Sequence, residues 1–568
     1  MLTEISFNNY KAFESGFLKI KPITILLGAN SIGKTSLLHF ILMLQQTAIA
    51  KENYKAALKL HGGFLSLGES KNIFRKHKTE RPVSFKLGFS NAKLSDFLSR
   101  QLIYNKIEEI FEYANFTYRY SKDSTGTDMS VFKKYSKLFS DLRYSKNDTG
   151  INKILNGIND ILDFSIENTK KIKRSSDKDV LNNLIFYSYR SNKIFRNIEN
   201  RKNELISGID FIKTISNLIN DDTNFSLEYE IGLISNVLII KNMKFYINNN
   251  MVFDIDMEIN KIQKFKFNSP YLNDDKVIAK LSESLKKHFF QPRTIFSFVK
   301  NEDNYDNTNM EYSYIIGIII EILTSSIRSL EKYFDEENIN YVSPLRAHPK
   351  RYYFLDKAKI NNYLDTLDGD ALAETLKENE NVKNQVNDWL RRFNLQVEVN
   401  KLEDILHKLT VNQNTLTLDI TDVGFGISQV LPVIIQGFLS YENSITLIEQ
   451  PEIHLHPKMQ ADLAELFIDI AIKKKEKNKR EVKNLIIETH SEYLLKRLRR
   501  KISNGEIDAN DVAIYMIRQN TEGVKDNSII QELNIEKRGN FEYPIEFYGG
   551  ELLKDDTEFL KNQLIDNE

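Results

Sequence analysis

The pattern of apolar and polar residues predicts a strand-rich lobe at the start of the chain. Residues 2–7 and 83–89 alternate between the two kinds, which is typical of a strand with one buried face. Residues 23–27 form an apolar, β-branched run, as in a strand buried on both faces, and apolar residues at helical spacing follow at 37–42. We therefore expect residues 1–90 to form a lobe of strands around one helix.

The middle of the chain has a different pattern. Between residues 91 and 224, charged and amide residues dominate, and apolar residues recur at helical spacing: Ile151, Ile154, Leu155, Ile158, Ile161 and Leu162. This predicts a mostly helical insertion. An antiparallel sheet is expected over 225–270, from four alternating segments at 225–231, 237–240, 244–247 and 252–259. Residues 271–335 return to a helical pattern.

A second lobe is predicted over residues 336–545, followed by a tail at 546–568. Two short apolar runs, 445–449 and 484–488, each end in a glutamate and predict buried strands. A further strand is expected at 512–517.

One loop in the first lobe matches the phosphate-binding pattern G-x-x-x-x-G-K-[ST]: Gly28, Ala29, Asn30, Ser31, Ile32, Gly33, Lys34, Thr35 and Ser36. It lies between a predicted strand and a predicted helix. The glycines let backbone N–H groups point at phosphates, and the helix presents the positive end of its dipole. We expect Lys34 to reach the β- and γ-phosphates and Thr35 to bind Mg²⁺. The alternative is an ordinary glycine turn.

Three further segments follow in the second lobe. The first is a Gly-x-Gly-x-Ser-Gln helix start, the second is a strand that runs into Glu-Gln-Pro-Glu, and the third is a strand that ends in Thr-His-Ser. Their candidate site residues are Gly424, Gly426, Ser428, Glu449, Gln450, Glu452 and His490. Glycine is scarce, at 22 of 568 residues, so its placement in these loops carries weight.

This order resembles the ATP-binding-cassette (ABC) ATPases, with signature loop, Walker B strand, D-loop and switch histidine in turn. It is most similar to the soluble RecF, SMC and OLD branch, whose Walker B region reads E-x-P-E-x-H-L-H-P, as residues 449–457 do. The resemblance covers residues 1–90 and 336–545. It implies an α/β fold: a split ABC-type ATPase head, with a mixed sheet core and a flanking antiparallel sheet, interrupted by the helical insertion.

The resemblance also implies a head-to-tail homodimer, or a higher oligomer, with two ATP molecules and Mg²⁺ at the interface. In one protomer Lys34 would hold phosphate, and Thr35 and Glu449 would bind the metal. The other protomer would cover the γ-phosphate with its signature loop, through Gly424, Gly426 and Ser428.

Gln450 departs from the pattern of the family. Most cassette ATPases have a glutamate here, which polarises the attacking water, and an amide cannot accept the proton in the same way. Either Glu452 or His490 compensates as a catalytic group, or hydrolysis is slow and the ATP-bound dimer is long-lived.

Several features have two or three possible interpretations. His454, His456 and His490 could form a metal cluster, but a D-loop and a switch histidine explain all three. The basic run at 473–480 could grip nucleic acid, although a solvated helix end is favoured. The glycine-containing segment at 62–69 is either a γ-phosphate sensor or a plain surface loop. A similar Pro-Leu-Arg segment recurs in related defence ATPases, so Arg346 contacts phosphate, buttresses the dimer or makes a surface salt bridge.

Composition adds outer limits. Lys plus Arg and Asp plus Glu are both 78, so net charge gives no hint of a nucleic-acid partner. The absence of cysteine excludes disulfides and cysteine nucleophiles. The most apolar stretch falls short of the ~20 residues that span a bilayer, and the start of the chain is an alternating strand. We expect a cytoplasmic protein without a membrane partner.

The whole chain is most similar to the Septu-type anti-phage defence ATPases, the PtuA family, including those encoded beside retrons. The similarity lies in size, the E-Q-P-E-x-H-L-H-P segment and a compact middle insertion. It implies a separate HNH nuclease subunit as partner, and for a retron also a reverse transcriptase with its RNA and DNA. Nucleic acid would be contacted through the complex, since no nuclease motif is found in the chain. Two alternatives remain open: a RecF-like DNA-repair ATPase, and a scaffold locked by nucleotide without catalysis.

Overall fold

The computed structural model describes most of the chain. The described residues are 1–50, 56–121, 130–145, 148–174, 198–259, 263–272, 275, 278–279, 282, 294–297, 314–354, 369–403, 405–474, 480–520, 527–541, 557–558 and 561. Most of the predicted tail and most of the region 271–313 therefore lie outside the described residues.

The strands within the described residues are β1 Leu2–Tyr10, β2 Phe13–Lys19, β3 Ile23–Leu27, β4 Val83–Phe89, β5 Phe225–Ile234, β6 Val237–Ile247, β7 Asn250–Ile259, β8 Gln263–Asn268, β9 Ile339–Val342, β10 Tyr353–Phe354, β11 Leu395–Lys401, β12 Leu406–Gln413, β13 Leu416–Asp419, β14 Ile445–Glu449, β15 Ile472–Lys474, β16 Arg480–Val482, β17 Asn484–Glu488, β18 Val512–Gln519 and β19 Ser528–Leu533.

The α-helices are α1 Lys34–Ala50, α2 Ala92–Asp96, α3 Leu102–Ser121, α4 Ser130–Ser145, α5 Asp148–Lys173, α6 Ile198–Ser216, α7 Tyr314–Glu331, α8 Gly369–Glu378, α9 Glu380–Leu390, α10 Phe425–Leu439, α11 Pro457–Ala471 and α12 Glu492–Ser503. A π turn at Phe97–Gln101 joins α2 to α3. Short 3-10 turns lie at Ser70–Ile73, Arg75–His77, Lys332–Phe334, Arg391–Phe393 and Ala509–Asp511. No helix in the described part of the chain is long and apolar enough to cross a membrane.

A 13-stranded sheet joins the two lobes, in the order β8-β7-β6-β5-β4-β1-β2-β19-β18-β3-β17-β14-β9. The half from β18 to β9 is parallel, and the half from β8 to β2 is antiparallel. The two halves meet where β19 runs antiparallel to β18 and parallel to β2. The mixed α/β fold with a flanking antiparallel sheet and a mostly helical insertion is thereby confirmed.

The buried strands of the parallel half separate two hydrophobic cores. Along β3, the side chains of Ile23, Ile25 and Leu27 belong to the core that contains α9 to α12. Leu26 belongs to the other core, which continues through the antiparallel half and the helices of the insertion. Because successive strand residues point to opposite faces, a strand covered on both faces is expected to be mostly apolar along its whole length, as β3 is.

Two details differ from the patterns read in the sequence. The segments at 237–240 and 244–247 form one strand, β6, because Lys241 is an extra residue in a bulge opposite β5. The basic run at 473–480 is not a helix end: its described residues lie in an antiparallel hairpin, β15 and β16, with residues 475–479 outside the described part.

A smaller sheet lies in the second lobe. β12 pairs with β11 along one edge and with both β10 and β13 along the other. This sheet precedes α10 in the chain, and Ile420 packs in the same core as α10. It thus supports the helix that begins at the predicted signature loop.

Candidate functional site

The glycine loop connects the buried end of β3 to the first turn of α1. Gly28 and Gly33 have φ angles of +142° and +110°, a region that side chains with a Cβ rarely adopt. A Cβ on Gly28 would lie 2.3 Å from the carbonyl oxygen of Ile517, and one on Gly33 would lie 2.9 Å from the ring of Phe13. Both glycines are therefore required by conformation and by close packing within the chain. Ser528 adds support, since its hydroxyl donates to the carbonyl of Ile32 at 2.7 Å.

Lys34 lies almost fully buried at the N-terminus of α1. Its Nζ donates to the carbonyls of Gly28 and Ala29 at 2.9 and 2.7 Å, and lies 3.8 Å from Oε1 of Glu488. The Thr35 hydroxyl donates to Oε2 of the same carboxylate at 2.9 Å. Burial lowers the pKa of Lys34 and raises that of Glu488. The site therefore holds a cation and a carboxylate in a poorly solvated loop.

Glu449 ends the strand next to that of Glu488. The parallel register pairs Glu449 with Glu488, and Glu488 in turn with Leu26 of β3. Tyr341 donates its hydroxyl to Glu449 Oε1 at 2.7 Å. Burial, together with the charge of Glu488, raises the pKa of Glu449 to about 7, although Tyr341 acts in the opposite direction. Two buried carboxylates thus end neighbouring strands, and a cation bound there would stabilise the charged form of both.

The segment after Glu449 turns back toward the end of β17. Gln450 has a φ of +44°, and its N–H donates to the carbonyl of Glu488 at 2.8 Å. Glu452 accepts from the N–H of His490 at 2.6 Å, and burial raises the pKa of this carboxyl. Burial and the charge of Lys34 lower the pKa of His490. The structure thus brings Gln450, Glu452 and His490 to the same edge of the sheet as the glycine loop.

The predicted signature loop lies at the start of α10. Gly424 is the N-cap residue, with a φ of −49° that any residue can adopt, and a Cβ there would meet no described atom within 4 Å. A Cβ on Gly426 would lie 2.8 Å from the carbonyl oxygen of His454, which packs the D-loop against α10. Ser428 is only 6% exposed in the first turns of the helix. Gly424 is therefore the most open of the three predicted signature residues.

The histidines do not form a metal cluster. His456 is the N-cap of α11 and accepts from the N–H of Lys458 through its Nδ1 atom. Among the described residues, no group of three or more His, Cys, Asp or Glu side chains could hold a metal ion.

The donor set nevertheless fits ATP with Mg²⁺. A hydroxyl and one or two carboxylates are the ligands expected for a Mg²⁺ that shares its coordination with substrate phosphates, and Thr35, Glu449 and Glu488 supply them. Two buried atoms near the loop, Glu452 Oε2 and His490 Nε2, have no hydrogen-bond partner among the described residues. Such atoms suit a site that is completed by polar groups of a ligand and its water.

Two residues of this site were missed at the level of sequence. Glu488, and not Glu449, is the carboxylate that contacts both Lys34 and Thr35. Tyr341 orients Glu449. A glutamate at the end of a second buried strand was the available signal, but only the strand order places it beside β3. Arg346 is 5% exposed and bonds to backbone carbonyls, so its surface salt-bridge reading is wrong.

The glycine loop, the carboxylates at the strand ends and the sheet order define the class of protein as a P-loop ATPase. The chain belongs to the AAA ATPase domain family AAA_15, whose model matches residues 1–495. No match was found among curated proteins.

Solved structures that are similar include SMC heads. One is the SMC head bound to the C-winged helix domain of ScpA, with 8% identity, a TM-score of 0.32, and coverage of 94% of this chain and 98% of that one. Another is the SMC head domain from Thermotoga maritima, with 6% identity, a TM-score of 0.32, and coverage of 94% and 99%.

Proposed function

We propose that the protein is a slow, nucleotide-controlled ATPase that acts as a switch subunit beside a separate nuclease in anti-phage defence. One observation carries the ATPase part of the proposal. Lys34 and Thr35, at a helix N-terminus, meet Glu488 directly, and Glu449 lies on the adjoining strand. This arrangement can hold the phosphates and Mg²⁺, and phosphoryl transfer depends mainly on such positioning of charge.

The chain's own residues have distinct tasks in this proposal. Lys34 exchanges its two loop carbonyls for phosphate oxygens. Thr35 and Glu449 bind Mg²⁺ directly, and Glu488 orients Thr35 or the metal's water. Gln450 positions the attacking water. Glu452 fixes the backbone of His490, and one of these two residues is the candidate for a compensating base.

The site is proposed to be completed by a second protomer. Gly424 supports this, because neither its φ nor any described contact within the chain calls for a glycine. A glycine that the protomer itself does not need is explained by close approach of the nucleotide bound to another copy. The proposed assembly is a head-to-tail dimer with two composite sites.

Lys34→Ala tests nucleotide binding. Two charge-assisted hydrogen bonds contribute about 1.5–3 kcal/mol each, so their loss should weaken ATP binding by ~100-fold or more. Lys483→Ala is a matched control, since Lys483 also donates to two backbone carbonyls, those of Gly437 and Phe438. Isothermal titration with ATP, beside circular dichroism of both variants, measures the effect. Undiminished ATP affinity in a folded Lys34→Ala protein would refute the proposal.

The nuclease and defence parts rest on the sequence resemblance to Septu-type ATPases, with the retron link as its narrower form. The expected partner is an HNH nuclease. The purified chain should therefore cut neither DNA nor RNA in the presence of Mg²⁺ or Mn²⁺, and cleavage should require an added HNH subunit encoded beside it. Robust cleavage by the chain alone, lost when carboxylates outside the ATP site are replaced, contradicts a separate nuclease.

A further inference from the structure

A buried arginine links the two halves of the site. The Arg346 guanidinium donates through Nη1 to the carbonyl of Gln429 in α10 at 2.9 Å. Through Nη2 it donates to the carbonyls of Glu449 and Gln450 at 2.9 and 3.2 Å. One side chain thus joins the signature helix to the segment that ends the Walker B strand.

Exposed residues lie on both sides of Arg346 in the chain, and one of them contacts the loop before α10. Leu345, the preceding residue, is 80% exposed. Arg351 lies 3.5 Å from Asp422, two residues before Gly424. Arg346 thus makes a buried contact with α10, and Arg351 makes an exposed contact with the loop that precedes α10.

The bonds of Arg346 suit a mechanical link better than a ligand contact. Both terminal nitrogens donate to backbone carbonyls, and these three hydrogen bonds link α10 to the end of β14 and the residue after it. A charged guanidinium is planar and rigid, so a displacement of the carbonyls on one side changes its bonds on the other.

We propose that Arg346 is a positioning residue that couples the two composite ATP sites of the dimer. Movement of Glu449 and Gln450 upon binding of Mg²⁺ and ATP in a protomer's own site is passed through Arg346 to the first turns of α10. The same protomer offers those turns to the other site. The coupling rests on the proposed function, because it requires ATP at the glycine loop and a signature loop that acts in trans.

The test measures hydrogen exchange in α10 of a variant that is designed not to dimerise. Gly424→Trp adds bulk at a position whose Cβ would meet no described atom within 4 Å, so we expect it to leave the fold intact and to block the proposed interface. Circular dichroism of the variant checks the fold. Hydrogen exchange of the amides at 429–431 and 433–435 is measured with and without Mg²⁺ and ATP, since Pro432 has no N–H. ATP affinity is measured on the same sample. ATP should slow exchange in this variant several-fold, and should no longer do so after Arg346→Met or Arg346→Lys is added. Leu345→Ala, at the exposed neighbour, should retain the response.

The outcomes separate the two levels of the argument. Two outcomes overturn the coupling and leave the ATPase proposal intact, provided that ATP binds. In one, ATP slows exchange in α10 equally with and without the Arg346 substitutions. In the other, ATP does not slow exchange in the Gly424→Trp parent at all. Absence of ATP binding in the parent overturns the ATPase proposal itself. In the chain without Gly424→Trp, coupling between the sites, which typically amounts to ~5–150-fold in affinity, should give a Hill coefficient of ATP hydrolysis above 1. Arg346→Lys should reduce this coefficient to about 1. A wild-type coefficient of about 1 likewise overturns the coupling.

Discussion

Gly28 in the glycine loop and Gly424 at the start of α10 both lie beside a helix N-terminus, yet their surroundings differ. Gly28 has a φ of +142° and faces a backbone carbonyl at 2.3 Å from the position of a Cβ. Gly424 has an ordinary φ and open space around it. The first loop is specified by packing inside the protomer. The second has no such requirement, which is the behaviour expected of a surface that meets its partner only in the assembly.

The two loops also differ in backbone strain. Ser31, in the middle of the glycine loop, adopts a φ of +62°, which a non-glycine residue does at some energetic cost. Such a loop is held in shape by its surroundings, here by the contacts of Lys34 and Ser528. Gly424 instead occupies a standard N-cap conformation, and α10 begins there without strain.

The largest effect is expected from Gly28→Ala. The new methyl group meets the carbonyl of Ile517, and the backbone enters a strained region, each costing about 1–3 kcal/mol. ATP binding should fall below detection in titration calorimetry, and urea denaturation should show a loss of ~2–6 kcal/mol. Gly505→Ala is the matched control, since Gly505 has a φ of +71° but no atom within 4 Å of its Cβ position. ATP affinity retained after Gly28→Ala would show that the loop does not bind phosphate.

The glycine loop could be predicted from sequence because its signal is local. Strand, glycine spacing, lysine and helix follow one another within fourteen residues, 23–36, and the structure places them together. The contact of Glu488 with Thr35 is different in kind. It depends on β17 lying between β3 and β14 in the sheet, and strand order is set by packing of distant segments, which no local pattern contains.

Arg346 and the hairpin of β15 and β16 show the same limit. The Pro-Leu-Arg segment marked Arg346 as notable, but its burial depends on α10 and β14 closing over it. The basic run suggested a solvated helix end, and the described residues of that run instead pair as Lys473 with Glu481 and Lys474 with Arg480. In each case the sequence marked the residues as notable but did not reveal the environment in which they lie.

An intermediate effect is expected from Gln450→Glu, at the point where the two loops meet through Arg346. A carboxylate at this position can accept a proton from water, and general-base catalysis typically contributes about 10²–10⁴-fold. Single-turnover hydrolysis of bound ATP should therefore accelerate by ~10²-fold or more, and the dimer should separate sooner in light scattering.

Gln450→Ala is the control for this substitution, because it removes the amide without adding a base, and it should not accelerate hydrolysis. A wild-type rate of several turnovers per second, lost in Glu452→Gln or His490→Ala, would assign the catalytic role to those residues and contradict the slow switch.

The smallest effect is expected from the pair Gly426→Ala and Gly424→Ser, which tests the contrast within the signature loop itself. A methyl group on Gly426 lies 2.8 Å from the carbonyl of His454, an overpacking that costs about 1–3 kcal/mol. The better helix propensity of alanine offsets about 1 kcal/mol of this. The net loss in urea denaturation should be ~0–2 kcal/mol.

Gly424→Ser places a good N-cap residue where a Cβ meets no neighbour. The free energy of unfolding should therefore equal that of the wild type or exceed it by about a few tenths of a kcal/mol. If Gly424→Ser destabilises the isolated protomer more than Gly426→Ala does, then Gly424 serves the protomer's own fold, and the argument for a partner at this position fails.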